Sequence, residues 1–201
     1  MIREVALPFA GKTIRQNTLA QAVSQASAML VEAAIESFPN LTLQVLDMGC
    51  GCGIVSIMCA LSRSEWKITG IDIQPELVAL ARENAAACEL DIDFHCADLR
   101  EYEGIYDLIV TNPPWQKQGS GLLSPHPQRN LSRVELSCAM PELLQAIRRC
   151  LAPQGQAIVI YPQHRLEDLE EASNETSLDI IECHTQSGNK AYFCAKLMIG
   201  N

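Results

Sequence analysis

Leu43-Gln44-Val45-Leu46-Asp47-Met48-Gly49-Cys50-Gly51-Cys52-Gly53 carries a short apolar run into a loop with glycine at every second position, and Ile54 to Ser62 follows at helical spacing. A run of strand formers, a glycine turn and an amphipathic segment make a strand–loop–helix unit. Glycines permit φ > 0 and let another molecule approach the backbone closely. The helix that follows turns its free amide hydrogens toward that molecule. The spacing is Asp-x-Gly-x-Gly-x-Gly, with Ile54 where the third glycine of a dinucleotide loop would fall, so it departs from G-x-G-x-x-G.

Outward from this unit the chain alternates strand and helix. Strands are expected at Leu43 to Asp47, Lys67 to Asp72, Ile92 to His95, Asp107 to Thr111, Ala157 to Tyr161, Leu178 to Cys183 and Ala191 to Leu197. Helices are expected at Ile54 to Ser62, Pro75 to Cys88, Leu131 to Leu151 and His164 to Ala172. Another runs over residues 17 to 37 on Leu19, Val23, Ala26, Leu30 and Ala34, and ends near Phe38-Pro39-Asn40. This alternation predicts an α/β fold, a mostly parallel seven-stranded sheet covered on both faces. Only a turn around Ser187-Gly188-Asn189 separates the last two strands, so the final strand is expected to run antiparallel beside its predecessor. The division is residues 1–40, an N-terminal extension and helix that complete the site, and residues 41–201, the main domain.

At 201 residues and 48% hydrophobic content, the chain can bury one core of ordinary size. No apolar run reaches the roughly 18 residues of a membrane span, and nothing marks secretion, so a cytoplasmic protein without membrane association is expected. The nine cysteines, without C-x-x-C spacing, read as reduced thiols packed as small hydrophobes rather than as disulfides or a metal site. The net charge of −9 argues at first against a nucleic-acid partner. Residues 65 to 107 carry eleven acids against three bases and residues 166 to 201 seven against two, whereas residues 116 to 165 carry six bases against two acids. The acidic tail reads as a solvated face.

Ligands of such sheets sit outside the carboxyl ends of the strands, where strand order reverses. Asp47, Asp72, Asp98 and Asn112 close or follow four successive strands, and four polar residues so placed point to one site. Together with the non-dinucleotide glycine spacing, they favour S-adenosylmethionine over NAD. Asp47, Gly49, Gly51 and Gly53 form the cofactor loop. Asp72 is placed to accept from two ribose hydroxyls and Asp98 from the adenine amino group, with Ile73 and Leu99 beside them; the alternative for Asp98 is a helix cap or turn residue.

Asn112-Pro113-Pro114-Trp115, directly after Leu108-Ile109-Val110, carries the reaction. The Asn112 amide oxygen and the Pro113 carbonyl can each accept one hydrogen of a planar –NH2. That aims the nitrogen at a methyl group and stabilises charge developing in the transition state. In-line approach supplies much of the remainder, and the sulfonium chemistry requires no metal. The prolines fix φ and keep Asn112 out of the helical region. Trp115 offers a face on which a base can stack. The competing reading is a strand-terminating turn whose tryptophan fills the core.

The order glycine loop, acid after strand two, Asp98 after strand three and Asn-Pro-Pro-aromatic after strand four resembles class I S-adenosylmethionine-dependent methyltransferases that modify amino nitrogens, over about residues 40 to 198. Gly119-Ser120-Gly121, Ser124-Pro125 and Arg129-x-x-x-Arg133-x-Glu135 resemble the segment that follows this motif in the bacterial tRNA1(Val) (adenine(37)-N(6))-methyltransferase family. Lys12-Thr13-Ile14-Arg15-Gln16 and Ser24-Gln25-Ala26 resemble that family's opening, which places Gln16 with the cofactor site. Two departures are Gln25, where the family has Asp, and Trp115, where it has Tyr. The resemblance implies a Rossmann-like fold and methyl transfer to N6 of an adenine in the tRNA anticodon loop, with Asn112, Pro113, Pro114 and Trp115 as the catalytic loop.

Residues 116 to 130 suit a lid over a base turned out of its stack. Lys117, Arg129 and Arg133 are candidates for RNA phosphates; for the two arginines the alternative is an exposed face paired with Glu135 or Glu142. Two other functions fit the motifs. One is a protein glutamine methyltransferase of the release-factor type, which usually carries a substantial N-terminal helical domain where only about forty residues stand here. The other is a non-catalytic module that keeps the loops as scaffold. Among nucleic acids, ribosomal RNA and DNA are alternatives to tRNA.

Overall fold

A computed structural model describes residues 2–7, 11–17, 25–39, 42–117, 138–186 and 189–200. The chain begins with an antiparallel hairpin, β1 (Ile2–Ala6) and β2 (Thr13–Asn17), that turns through Gly11 at φ 61°. Helix α1 (Gln25–Ser37) follows. Then come β3 (Gln44–Met48), α2 (Ile54–Ser62), β4 (Lys67–Asp72), α3 (Pro75–Ala87), β5 (Asp93–Cys96) and β6 (Tyr106–Thr111). The C-terminal part consists of α4 (Met140–Cys150), β7 (Leu151–Pro162), a 3-10 turn (Gln163–Arg165), α5 (Leu166–Thr176), β8 (Leu178–Gln186) and β9 (Asn189–Ile199).

Strands β3 to β9 form one sheet in the order β5-β4-β3-β6-β7-β9-β8. β5, β4, β3, β6 and β7 are parallel, and β9 lies antiparallel between β7 and β8. The antiparallel last strand agrees with the sequence expectation. Its insertion between β7 and β8 was not foreseen, because a short turn between two strands fixes their pairing and leaves open which of them joins the sheet. From β3 the chain first winds toward β4 and β5 and later returns to β6 on the other side, so the strand order reverses between β3 and β6.

Period-two burial makes the two cores. In β3, Val45 faces one layer and Leu46 the other; in β6, Leu108 and Val110 oppose Ile109; in β7, Ile158 and Ile160 oppose Ala157, Val159 and Tyr161. One layer is closed by Leu30, Ala34, Ile57, Met58 and Val78 of α1, α2 and α3, the other by Leu143, Leu144, Ile147 and Leu169 of α4 and α5. Pro75 opens α3, where its missing N–H removes no helical bond. None of the helices among the described residues is long and apolar enough to cross a membrane.

Several expected boundaries shift. Residue 17 ends β2, so the helix expected over 17–37 is described only from Gln25, with 18–24 outside the described residues. The hairpin was not anticipated because its strands carry few apolar residues; Ile14 and Gln16 are buried while Thr13 and Arg15 are exposed. Of the helix expected over 131–151, residues 131–137 lie outside the described residues, and Leu151 already opens β7. β7 starts six residues before its expected Ala157, because Leu151 pairs with Tyr106 ahead of an irregularity in the register. The turn residues Ser187 and Gly188 are also outside the described residues. Leu144 is fully buried between α4 and the sheet, so Leu144→Ala is expected to cost about 2–5 kcal/mol. Urea unfolding followed by far-ultraviolet circular dichroism measures it.

Candidate active site

The glycine loop between β3 and α2 folds back on β4. Gly49 and Cys50 donate their amide hydrogens to the Ile71 carbonyl at 2.8 and 2.9 Å, and Gly53 N–H donates to Cys50 O at 2.9 Å. Gly49, Gly51 and Gly53 take φ of 80°, 55° and 82°, values that L side chains rarely adopt. A Cβ at Gly49 or Gly51 would meet nothing within 4 Å, so the backbone there borders open space; at Gly53 it would press on Ala81 and Phe94 at 3.1 Å. The first two glycines leave room and the third lets α2 approach α3 and β5.

Two carboxylates hold this loop. Asp72 Oδ2 accepts from Gly51 N–H and Oδ1 from Gln74 N–H, both at 2.9 Å. Asp47 Oδ2 accepts from Ser56 N–H at 3.0 Å and Ser56 Oγ–H at 2.5 Å, which anchors the first turn of α2. Burial pushes the Asp47 carboxyl up to about 6 and also raises that of Asp72, because a charge removed from water is disfavoured. Burial likewise raises the Cys50 thiol and pushes Cys52 up to about 12. Both stay neutral, as small apolar groups. All nine cysteines are free.

Asp47, Gly49, Gly51, Asp72, Ile73, Asp98, Leu99, Asn112, Pro113 and Pro114 line one cleft with about 1010 Å³ of empty space, its open mouth included. Three carboxylates and no Lys, Arg or His stand among its described lining residues. Ile73, 43% exposed, lies on the wall beside Asp72, with Leu77, Ala97 and Leu99 completing an apolar surface. Asp98 is a turn residue here: its Oδ1 accepts from Arg100 N–H at 2.9 Å and its carboxylate pairs with the Arg100 guanidinium, which lowers its pKa. Gly53 packs behind the loop and lies outside the lining.

Asn112 follows β6 on the far wall. Its Nδ2 lies 3.4 Å from Ser27 Oγ of α1, and its Oδ1 is buried with no hydrogen-bond partner among the described residues. Thr111 Oγ1 donates to Met48 O at 2.7 Å, which ties the start of the loop to the end of β3. Trp115 is half-buried, 4.8 Å from the Tyr192 ring at a 44° tilt, and packs against both cores. It lies outside the cleft lining.

Two more expected site residues, Gln16 and Lys117, lie outside this lining. Gln16 is buried in β2, where its Oε1 accepts from Arg3 at 3.2 Å. Lys117 Nζ pairs with Asp168 at 2.8 Å. Arg129 and Arg133 lie outside the described residues. Sequence reasoning missed Asn84 and Ser27. Buried Asn84 accepts from Arg15 N–H at 2.8 Å, and its Nδ2 donates to Arg15 O and Cys52 O at 2.8 and 2.9 Å. It thereby joins the hairpin to the glycine loop. A lone asparagine inside a helix gives no signal in sequence; Ser27 stood beside the Ser24-Gln25-Ala26 stretch.

Residues 16–178 match the family model described as methyltransferase small domain. This chain belongs to that family. Among curated relatives, the methyltransferase small domain chain is similar to the tRNA1(Val) (adenine(37)-N6)-methyltransferase of Shewanella sp. (strain MR-7), 32% identical over 68% of this chain and 60% of the relative. The protein of the same name from Parabacteroides distasonis is 36% identical over 67% and 58%. That from Aeromonas salmonicida is 35% identical over 75% and 64%. The chain thus spans about three-fifths of the length of these relatives. The fold is shared with ribosomal protein L11 methylase from Lactobacillus delbrueckii subsp. bulgaricus (TM-score 0.68, 22% identity, 89% of this chain and 81% of that one). It is also shared with the T. thermophilus 16S rRNA N2 G1207 methyltransferase solved with AdoMet and guanosine (TM-score 0.69, 20% identity, 100% and 50%).

Asp47 gives a pH test. A carboxyl that holds its proton more tightly folded than unfolded adds stability while protonated. That contribution is complete below the unfolded value near 4 and is lost as pH rises through about 6. Asp47→Asn is therefore expected to leave stability at pH 4 little changed and to gain up to about 3 kcal/mol over wild type at pH 7.5. Urea unfolding at the two pH values measures the difference, and a constant difference would place the carboxyl in an ordinary environment.

Proposed function

We propose that this chain transfers a methyl group from S-adenosylmethionine to N6 of an adenine in tRNA. The observation that carries the reading is Asn112 at the cleft wall, its Oδ1 buried and unpartnered among the described residues, next to Pro113. A buried carbonyl without a donor costs free energy, and a substrate –NH2 supplies the missing donor. The relatives' printed name supports adenine N6 as that group.

The cofactor fits the residues present. A cleft whose described lining holds three acids and no cation suits a ligand carrying sulfonium and ammonium charges and disfavours a pyrophosphate. Gly49 and Gly51 leave open space beside the backbone. Asp72 keeps lone pairs for ribose hydroxyls although each oxygen already accepts one amide hydrogen. Ile73 and Leu99 supply apolar faces for the adenine ring. Asp98 holds Arg100 in the structure, so its carboxylate serves the adenine amino group only through a lone pair Arg100 leaves. When bound, S-adenosylmethionine supplies an electrophilic methyl on sulfur.

The chain's own residues orient the acceptor. Asn112 Oδ1 and the Pro113 carbonyl take the two N6 hydrogens, Ser27 steadies the Asn112 amide, and the prolines keep the loop extended. This places N6 in line and favours the pyramidal nitrogen of the transition state. Residues 1–40 complete the site through Ser27 and through the hairpin that Asn84 docks on the glycine loop. Arg129 and Arg133 are proposed for tRNA phosphates. Lys117 contributes there only if it leaves Asp168. Work on tRNA implies the cytoplasm.

Incubation with methyl-labelled S-adenosylmethionine and separate tRNA, ribosomal RNA, DNA and protein fractions is expected to label tRNA, with N6-methyladenosine found after nuclease digestion. Label in protein glutamine or in another nucleic acid would overturn the substrate. Asn112→Ala is expected to lower kcat about 100-fold or more while calorimetric affinity for S-adenosylmethionine stays within about twofold. Equal losses would place Asn112 in the cofactor site.

A further inference from the structure

Beyond the cleft, a second polar cluster grips the far end of the Asn112–Trp115 loop. Arg165 closes the 3-10 turn after β7 with its side chain 3% exposed. Its Nη1 donates to the Trp115 carbonyl at 2.5 Å and its Nε to Asp168 Oδ2 at 2.6 Å, and its guanidinium carbon lies 5.6 Å from the centre of the Tyr161 ring. Asp168 Oδ1 accepts from Lys117 Nζ at 2.8 Å. The chain after the prolines is thus tied to the first turn of α5 through the Trp115 main chain and the Lys117 side chain, while Thr111 ties its start to β3.

We propose that Arg165 is a positioning residue for the methyl-transfer loop, acting through the Trp115 carbonyl; this rests on the reading of Asn112 as the acceptor-binding residue. Pro113 and Pro114 have no N–H to offer a neighbouring strand, so the loop cannot be held by ladder bonds across those positions. Its geometry has to come from outside. A guanidinium is costly to bury unless fully paired, and apolar residues of like volume would pack against Tyr161 as well. What the arginine adds is a donor with fixed geometry, aimed at one carbonyl and oriented by one carboxylate. Asp168 balances its charge and also fixes Lys117. Trp115 then has one placement, with its ring against Tyr192, and Asn112 three residues earlier inherits that placement.

The test uses the full chain in a Trp66→Phe background, where Trp115 is the one remaining tryptophan, and compares Arg165 with Arg165→Met, Arg165→Lys and Asp168→Asn. In Arg165→Met, kcat is expected to fall about 10- to 100-fold, with the Kd for S-adenosylmethionine within about twofold and the melting temperature nearly unchanged. Trp115 fluorescence is expected to shift to the red and to become more open to acrylamide quenching. Arg165→Lys keeps a cation and a donor, and is expected to recover part of the rate and of the spectrum. The proposal is overturned if Arg165→Met keeps full kcat and an unshifted spectrum. It is also overturned if rate, cofactor affinity and melting temperature fall together with Arg165→Lys no better, which would mark a purely structural arginine. Should Arg165→Met not fold, Arg165→Lys and Asp168→Asn decide by the same readouts. If wild type methylates no tRNA, the reading of function fails, whereas Trp115 fluorescence still tests whether Arg165 holds the loop.

Discussion

The parallel pairing of β3 with β6 is the constraint on which the site depends. It sets Asp47 level with Val110, so the glycine loop leaving β3 and the Asn-Pro-Pro-Trp loop leaving β6 emerge side by side at one edge. The connections from these strands then diverge, one toward β4 and the other toward β7. The cleft is the space left by that divergence. The loops need no long-range machinery to meet; register brings them together.

On that framework the glycine loop is held by carboxylates rather than by a cation. Asp72 receives Gly51 and Asp47 receives Ser56, both in surroundings that raise their pKa. Charged acids so placed cost the ligand-free fold some stability at neutral pH, and a cationic ligand offsets that cost on binding. Stability given up at a site and recovered by its ligand is a common division of labour between scaffold and function.

The strand and helix alternation was legible because strands buried on both faces read as short continuous apolar runs, such as Leu108-Ile109-Val110, set between segments of helical spacing. The glycine loop, Asp47, Asp72 and Asn112 were legible because each closes or follows a strand the pattern had already located. Partners were harder to read. Asn84 and Arg165 act over 69 and 50 residues of separation, and their roles follow from packing, which no local spacing reports. Asp98 and Lys117 were read as free to meet ligands, but Arg100, two residues from Asp98, and Asp168, 51 residues from Lys117, pair with them. Trp115 shows both readings at once: it belongs to the loop, and its ring is packed into the core against Tyr192.

The most direct test is a crystal structure of the full chain with S-adenosylmethionine and an adenine nucleoside. The account predicts N6 within about 3 Å of both Asn112 Oδ1 and the Pro113 carbonyl, with the methyl group in line on the opposite side. An adenine whose amino group meets neither oxygen, or an Asn112 Oδ1 left unpartnered beside a bound nucleoside, would contradict it.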